Sequence, residues 1–332
     1  NIIKRLKKTF SFKNLTSLCV IAVMSISLIF LLHVLGVFNF LELKMYDFKF
    51  EIRESLYDTD RKDLDVAIVY GDDESYELLS RKFSYPYPRG KVYAKAIENI
   101  ASLGAKVIVL DYVFDSPDLN TTRSKEVRNN LLEGKYTTIE EKKALEEKFS
   151  IQDEDRILAD AIINVKKRYN AHVVLSGKTK IDPNSTQYFS VSEPSSTISN
   201  PEKNFLNTDF GLVDINQDLD GFLRRYIIYQ KFPDTKEYNY SLAIETVLKY
   251  YNEDSRSIQP IYDKYKKKTM VGDRIEIDTY GAKNSFLLNY YGSSSKALGS
   301  SGTFANISLS QILDDDETCF GECIWDEDEE IY

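Results

Sequence analysis

The sequence predicts an α/β domain with a mixed, largely parallel sheet flanked by helices, preceded by one N-terminal transmembrane helix. Two observations carry this. Short β-branched runs alternate with stretches of helical apolar period, and a long uncharged segment stands near the start.

The first pair of runs is Leu64–Tyr70 (LDVAIVY) and Lys106–Leu110 (KVIVL). Between them Val92, Ala96, Ile97, Ile100 and Leu103 fall at helical spacing, which predicts a βαβ unit with parallel strands. Gly104 lies where that helix must turn into the strand at Ala105, a role that calls for positive φ. Ile157, Leu158, Ala161, Ile162 and Val165 predict a second amphipathic helix, and HVVLS from His172 to Ser176 a third parallel strand. Thr179 to Asn207, rich in Ser, Thr, Asn and Pro, has no apolar period and reads as a long loop. FGLVDI and FLRRYIIY flank NQDLDG, which suits a β-hairpin because Asp220 and Gly221 tolerate positive φ. Ala243, Val247 and Tyr250 mark a third helix, and FLLNYYG from Phe286 a further strand.

Leu15 to Phe38 contains no Asp, Glu, Lys or Arg. As a helix its 24 residues span roughly 36 Å, enough to cross a hydrocarbon core of about 30 Å with some tilt. Lys4, Arg5, Lys7, Lys8 and Lys13 precede it without an acidic residue, whereas Glu42, Lys44, Asp47 and Lys49 mix beyond it. The positive-inside bias therefore predicts residues 1–14 in the cytoplasm and the main domain outside the inner membrane. No small-x-small cleavage pattern follows Gly36, so an uncleaved anchor is expected rather than a signal peptide. Leu41, Met45, Phe48 and Ile52 then recur at spacings that lay one apolar stripe along a juxtamembrane helix over 39–56. Such a helix either transmits a signal or packs on the domain. The domain itself is expected over 57–332, with a charged insertion at 117–152 that opens a helix at Thr138, Ile139, Glu140 and Glu141. Beginning at Asn1 and ending in an acidic run, the chain is expected to be part of a longer one.

A net charge of -9 argues against a nucleic-acid partner, because phosphate neutralisation needs clustered Lys and Arg on the folded part. With His33 inside the apolar segment and His172 on a predicted strand, nucleophilic hydrolysis has one candidate base and no nucleophile elbow. No cofactor is expected. Asp72, Asp73, Asp111 and Asp115 fall just beyond the C-terminal ends of the first two strands, where ligands bind in open α/β sheets, and Arg89 begins the intervening helix. These five are the ligand-binding candidates. The alternative is that Pro86 and Arg89 start the helix, with Arg89 pairing an aspartate for structure. Convergent carboxylates also suit a divalent cation, and the metal question stays open. Asp214, Asn216, Asp218 and Asp220 alternate like a calcium loop, but the glycine is late and no closing Glu follows, which favours the hairpin turn. Arg224 and Arg225 must point to opposite faces of the following strand, so at most one reaches an inward cleft. Cys319 and Cys323 leave a disulfide, a free pair or a metal site open.

The blocks MYDFKFEIRES, GDDES, YPYPRGKVYAKAIENIASLGAKVIVLDYVF, DEDRILADAI, GLVDINQDLDGFLRRY, FLLNYYG and FANISLSQIL occur in the order of a known family. From Met45 to Leu313 the chain resembles the class-two CHASE domain, the extracellular sensing module of bacterial cyclases and histidine kinases. The most specific block is Pro86, Pro88 and Arg89, a helix, Gly104 and the strand ending at Asp111, with Tyr87 in the place of the usual Trp. The resemblance implies a sensor that is not itself an enzyme. It also implies three further membrane helices after Tyr332 and a cytoplasmic output, with an adenylate or guanylate cyclase preferred over a histidine kinase. The expected partners are the lipid bilayer, a second copy in a homodimer, and an unknown small-molecule or protein signal. An anchored metal-dependent hydrolase and a tethered scaffold are the competing readings.

Overall fold

Residues 12–56, 65–119, 153–181, 189–192, 209–231 apart from 216 and 219, 238–290 and 304–314 are described in a computed structural model, with isolated positions between 122 and 138. The predicted insertion helix, the Thr121–Ser150 stretch as a whole, Cys319 and Cys323 lie outside the described residues. The chain divides into two compact units, residues 1–65 with 290–296 and 300–305, and the remainder.

In the first unit, α1 (Phe12–Val34) and α2 (Val37–Leu56) are separate helices. Within α1, Thr16–Val34 has a mean hydropathy of 2.5 and none of it is buried, so it is long and apolar enough to cross a membrane. The uncharged stretch is not one helix to Phe38, because Gly36 takes φ +74 and interrupts the hydrogen-bond ladder. Along α2, Tyr46 meets Phe50 edge-on at 4.9 Å and Phe50 meets Tyr290 at 5.6 Å. The Leu41, Met45, Phe48 and Ile52 stripe stays exposed.

The second unit has the predicted mixed α/β architecture. Its elements run β1 (Ala67–Tyr70), α3 (Asp73–Lys82), a π-helical turn (Arg89–Ala94) leading into α4 (Lys95–Ser102), β2 (Val107–Val113), α5 (Glu154–Tyr169) and β3 (His172–Ile181). There follow β4 (Phe189–Ser192), β5 (Asp209–Leu212), β6 (Arg225–Ile227), β7 (Tyr229–Gln230), β8 (Asn239–Tyr240), α6 (Leu242–Tyr250), β9 (Ile261–Asp263), β10 (Lys268–Val271), β11 (Ile275–Asp278), β12 (Ser285–Leu287), β13 (Ala305–Ser308) and α7 (Leu309–Leu313).

β3 organises the parallel sheet. It runs parallel to β2, with Val107 opposite His172, and parallel to β5, with Val174 opposite Asp209. A parallel bridge from Leu212 to Ser241 continues the sheet to β8, which pairs antiparallel with β7. The larger core packs Val92, Ile97, Leu158, Val165, Ile108, Leu175 and Leu313. A second core gathers Ile228, Tyr240, Ile244, Leu248 and Val271.

Five expectations need correction. β1 hydrogen-bonds to β13 and not to β2, so the first strand, helix and strand do not form a βαβ unit of neighbours. β5 and β6 do not pair across NQDLDG, since β6 pairs antiparallel with β12. The turn itself forms, with the Gly221 N–H donating to the Asp218 carbonyl at 2.9 Å and Gly221 at φ +81. The stretch from Thr179 is not all loop, because β3 continues to Ile181 and pairs antiparallel with β4. Leu103 is 76% exposed, lying past the last turn of α4. The third helix buries Ile244 and Leu248, whereas Val247 and Tyr250 are exposed.

Gly104 takes φ +95, and a Cβ there would meet nothing within 4 Å. A Gly104→Val variant therefore pays for backbone strain alone, and we expect a loss of about 1–2 kcal/mol in unfolding free energy. Denaturant titration of the chain in detergent checks this, and an unchanged midpoint would place the helix end elsewhere.

Candidate functional site

The C-terminal ends of β2, β3 and β5 converge as the parallel register requires, and each delivers polar groups. The Ser176 hydroxyl donates to the Leu110 carbonyl at 2.9 Å and reaches the Asp111 carboxylate at 3.2 Å. Asp115, beyond β2, faces the Lys178 ammonium at 3.7 Å. Asp214, beyond β5, accepts from the Thr179 backbone N–H at 2.9 Å and from its hydroxyl at 2.7 Å. Burial raises the Tyr226 hydroxyl above its ordinary pKa, and the charges of Asp111 and Asp214 raise it further, while the Ala243 N–H it accepts from opposes them. Tyr226 thereby links this acidic edge to the start of α6. The arrangement offers carboxylates and hydroxyls on a strand-end edge, which suits recognition of a polar ligand more than bond-making chemistry.

Asp72 serves a different set of partners. It caps α3, accepting from the Ser75 N–H at 2.9 Å and from the Ser308 hydroxyl at 2.9 Å. Ser75 and Ser308 hydroxyls lie 2.8 Å apart, and the Ser310 N–H donates to Ser75 at 3.0 Å. This knot fastens the start of α3 to the start of α7, whose own cap is the Ser308–Gln311 box. Partial burial works to raise the Asp72 carboxyl, but the Ser75 and Ser308 bonds outweigh it and hold the pKa below the ordinary value. Asp73 is exposed in the first turn of α3.

Arg89 is buried, and its guanidinium donates to Asp155 at 2.6 Å and to the Ser116 carbonyl at 2.8 Å. It stands 3.8 Å from Asp118 and lies over the Phe114 ring at 4.6 Å. Beside it, Glu154 accepts from the N–H groups of Gly90 and Lys91 at 2.7 and 3.1 Å. Burial raises the Glu154 carboxyl above its ordinary pKa in spite of those bonds. Pro88 is the N-cap of the π-helical turn, two residues after Pro86, so the start of that helix is clamped to the start of α5.

The structure thus sorts the five candidates into three groups. Asp111 and Asp115 sit on the strand-end edge, Asp72 and Asp73 open α3, and Arg89 binds α5 acids, none of them among the other four candidates. Sequence reasoning did not place Asp214 on the edge, although it lies two residues past β5. Among the described residues no group of three or more His, Cys, Asp and Glu side chains is placed to hold a metal ion.

Asp218 and Asp220 are engaged by arginines. Arg224 donates to Asp218 at 2.9 Å and to both Asp220 oxygens at 2.8 Å, and Arg225 donates through Nε to Asp218 at 2.9 Å. Arg224 is the inward member of the pair, 2% exposed along its side chain against 41% for Arg225.

Searches of curated proteins and of solved structures return no match. The family model described as the CHASE2 domain matches residues 21–328, which takes in α1 from Ile21 onward, α2, both cores, the strand-end edge and the Arg89 clamp. On that match over nearly its whole length, the chain belongs to the CHASE2 family of extracellular sensor domains.

Proposed function

We propose that this sensor is anchored in the inner membrane by α1, with residues 1–14 cytoplasmic, and regulates a C-terminal cytoplasmic adenylate or guanylate cyclase through α2. The observation that carries the reading is the direct succession of a wholly exposed apolar helix and an amphipathic one. Among the described residues none buries Thr16–Val34, and α2 continues from it after a break of two residues. The basic flank before α1 supports the orientation. The stripe of Leu41, Met45, Phe48 and Ile52, between 41% and 74% exposed, supports pairing of two copies along α2. Asp111 and Asp115, with Asp214 beside them, are the groups we assign to the signal molecule.

Topology is the decisive test. In a chain freed of Cys19, Cys319 and Cys323, a Glu140→Cys variant is expected to react with a membrane-impermeant maleimide on intact cells. Labelling only after permeabilisation would put the domain in the cytoplasm and overturn the proposal.

A further inference from the structure

At the N-terminal ends of β3 and β5, away from the strand-end edge, α6 buries two ionisable side chains on one face. Glu245 is 2% exposed and Lys249 5% exposed. The Lys249 ammonium stands 2.8 Å from the Asp209 carboxylate and 3.6 Å from Glu245, so one cation serves two carboxylates and favours Asp209. Among the described residues, the Glu245 carboxylate also accepts a hydrogen bond from the Ser255 hydroxyl, at 2.9 Å. A buried carboxylate with so little compensation is costly while charged.

The surrounding elements add few charges directed at it. From β8, Tyr240 presents its ring and hydroxyl, the latter donating to the Ile258 carbonyl at 3.1 Å. From the turn at 255–257, Arg256 reaches toward Asp209 at 3.9 Å and Asp254 at 3.4 Å, and is 43% exposed. From α5 and β3 come Lys166 and His172, 2.6 Å apart, with Asn252 2.9 Å from the same ring nitrogen. Their electrostatic partners are Asp209 and Lys249. Lys106, before β2, lies over the Tyr250 ring at 4.2 Å, and Glu253 faces Arg274 at 3.8 Å.

We propose that Glu245 is a proton-binding site of this domain, and that proton exchange in the Glu245–Lys249–Asp209 cluster sets how firmly α6 is held to the sheet. When Glu245 is ionised, its charge competes with Asp209 for Lys249. When it takes up a proton, Lys249 belongs to Asp209 alone and the α6–β5 ion pair is undivided. Burial raises the Glu245 carboxyl to about 7, against the pull of Lys249 and the Ser255 bond. Because the folded value is raised, the stabilisation is fully present below the unfolded pKa of about 4.5 and is lost as pH rises through about 7. His172 acts in the opposite sense. Its folded pKa is lowered, chiefly by burial, so its protonation works against the fold as pH falls below its ordinary value. The cluster therefore gives a sensor domain a proton-dependent contact between a helix and the central sheet, and it needs no particular membrane orientation to operate.

The test is an infrared pH titration of the full chain in detergent micelles, following the carbonyl stretch of buried protonated carboxyls between about pH 5.5 and 8.5. Glu154 can contribute to the same band, so each variant is compared with the parent chain. We expect a component that disappears with a midpoint near 7 and is missing from Glu245→Gln. In Asp209→Asn, Lys249 serves Glu245 alone, and the component should remain but move to lower pH. A component that persists in Glu245→Gln, or one whose midpoint does not fall in Asp209→Asn, would overturn the proposal. Should Glu245→Gln fail to fold, the Asp209→Asn midpoint decides by itself.

Discussion

Replacing Arg224 by alanine is expected to cost about 3–5 kcal/mol of stability, enough to leave much of the chain unfolded at physiological temperature. Arg224 is 1% exposed and is among the largest fully buried side chains in the domain. Its guanidinium offers hydrogen bonds to Asp218 and both oxygens of Asp220, and its plane lies over the Phe222 ring at 4.9 Å. Removing it leaves Asp218, 4% exposed along its side chain, with the more exposed Arg225 as its remaining cation. The substitution also opens a void beneath the turn. Arg224→Lys should recover only part of the loss, because a single ammonium cannot reproduce the forked geometry that reaches two carboxylates. Denaturant midpoints of the parent chain and both variants in the same detergent check this. An Arg224→Ala midpoint within experimental error of the parent would mean the turn is solvated.

Asp155→Ala is expected to follow it closely, at roughly 3 kcal/mol, because it takes from the buried Arg89 guanidinium its nearest carboxylate. Asp155 accepts from Arg89 at 2.6 Å through one oxygen and from the Asp118 N–H at 2.9 Å through the other, at 2% exposure. The Ser116 carbonyl and the more distant Asp118 carboxylate, 3.8 Å away, remain and offset only part of the lost contact. A paired Arg89→Met and Asp155→Leu change removes both members of the closest pair and should cost less than the sum of the two single changes, although Asp118 then loses the Arg89 cation. Additive losses in that double variant would show that the two groups act independently, contrary to the contact observed.

The strands and helices that were predicted were legible because each has its own local period, whereas α3 and β9 to β11 were not among them. The face of α6 was not. Ala243, Val247 and Tyr250 recur at helical spacing, and so do Ile244 and Leu248 one position along, so α6 carries two apolar stripes. Glu245 and Lys249 stand beside the second stripe, where charged residues ordinarily mark a solvent-facing side. They are buried because Asp209 stands against Lys249, and no local pattern announces a partner that distant in sequence. Strand partners were hidden for a similar reason. The run at Ala67–Tyr70 reads as a strand from its own residues, yet its neighbour is β13, well over two hundred positions later.

The candidate site was legible as a location and not as an arrangement. Asp115 could be placed past a strand end from sequence, since strand direction and length fix where a strand stops, whereas Asp111 lies inside β2, which runs on to Val113. Whether Arg89 meets them depends on how α5 packs against the π-helical turn, and the structure gives Arg89 to Asp155 instead. By itself the sequence determined the α/β class, the apolar helix, the positive-φ turn at Gly104 and the family, because these depend on residue type and short-range spacing. Only the tertiary structure decided which strands pair, which stripe of α6 is buried, and which carboxylate holds each arginine and lysine. Those outcomes depend on long-range contacts whose energies far exceed local propensity, so two segments with the same local pattern can end in different places.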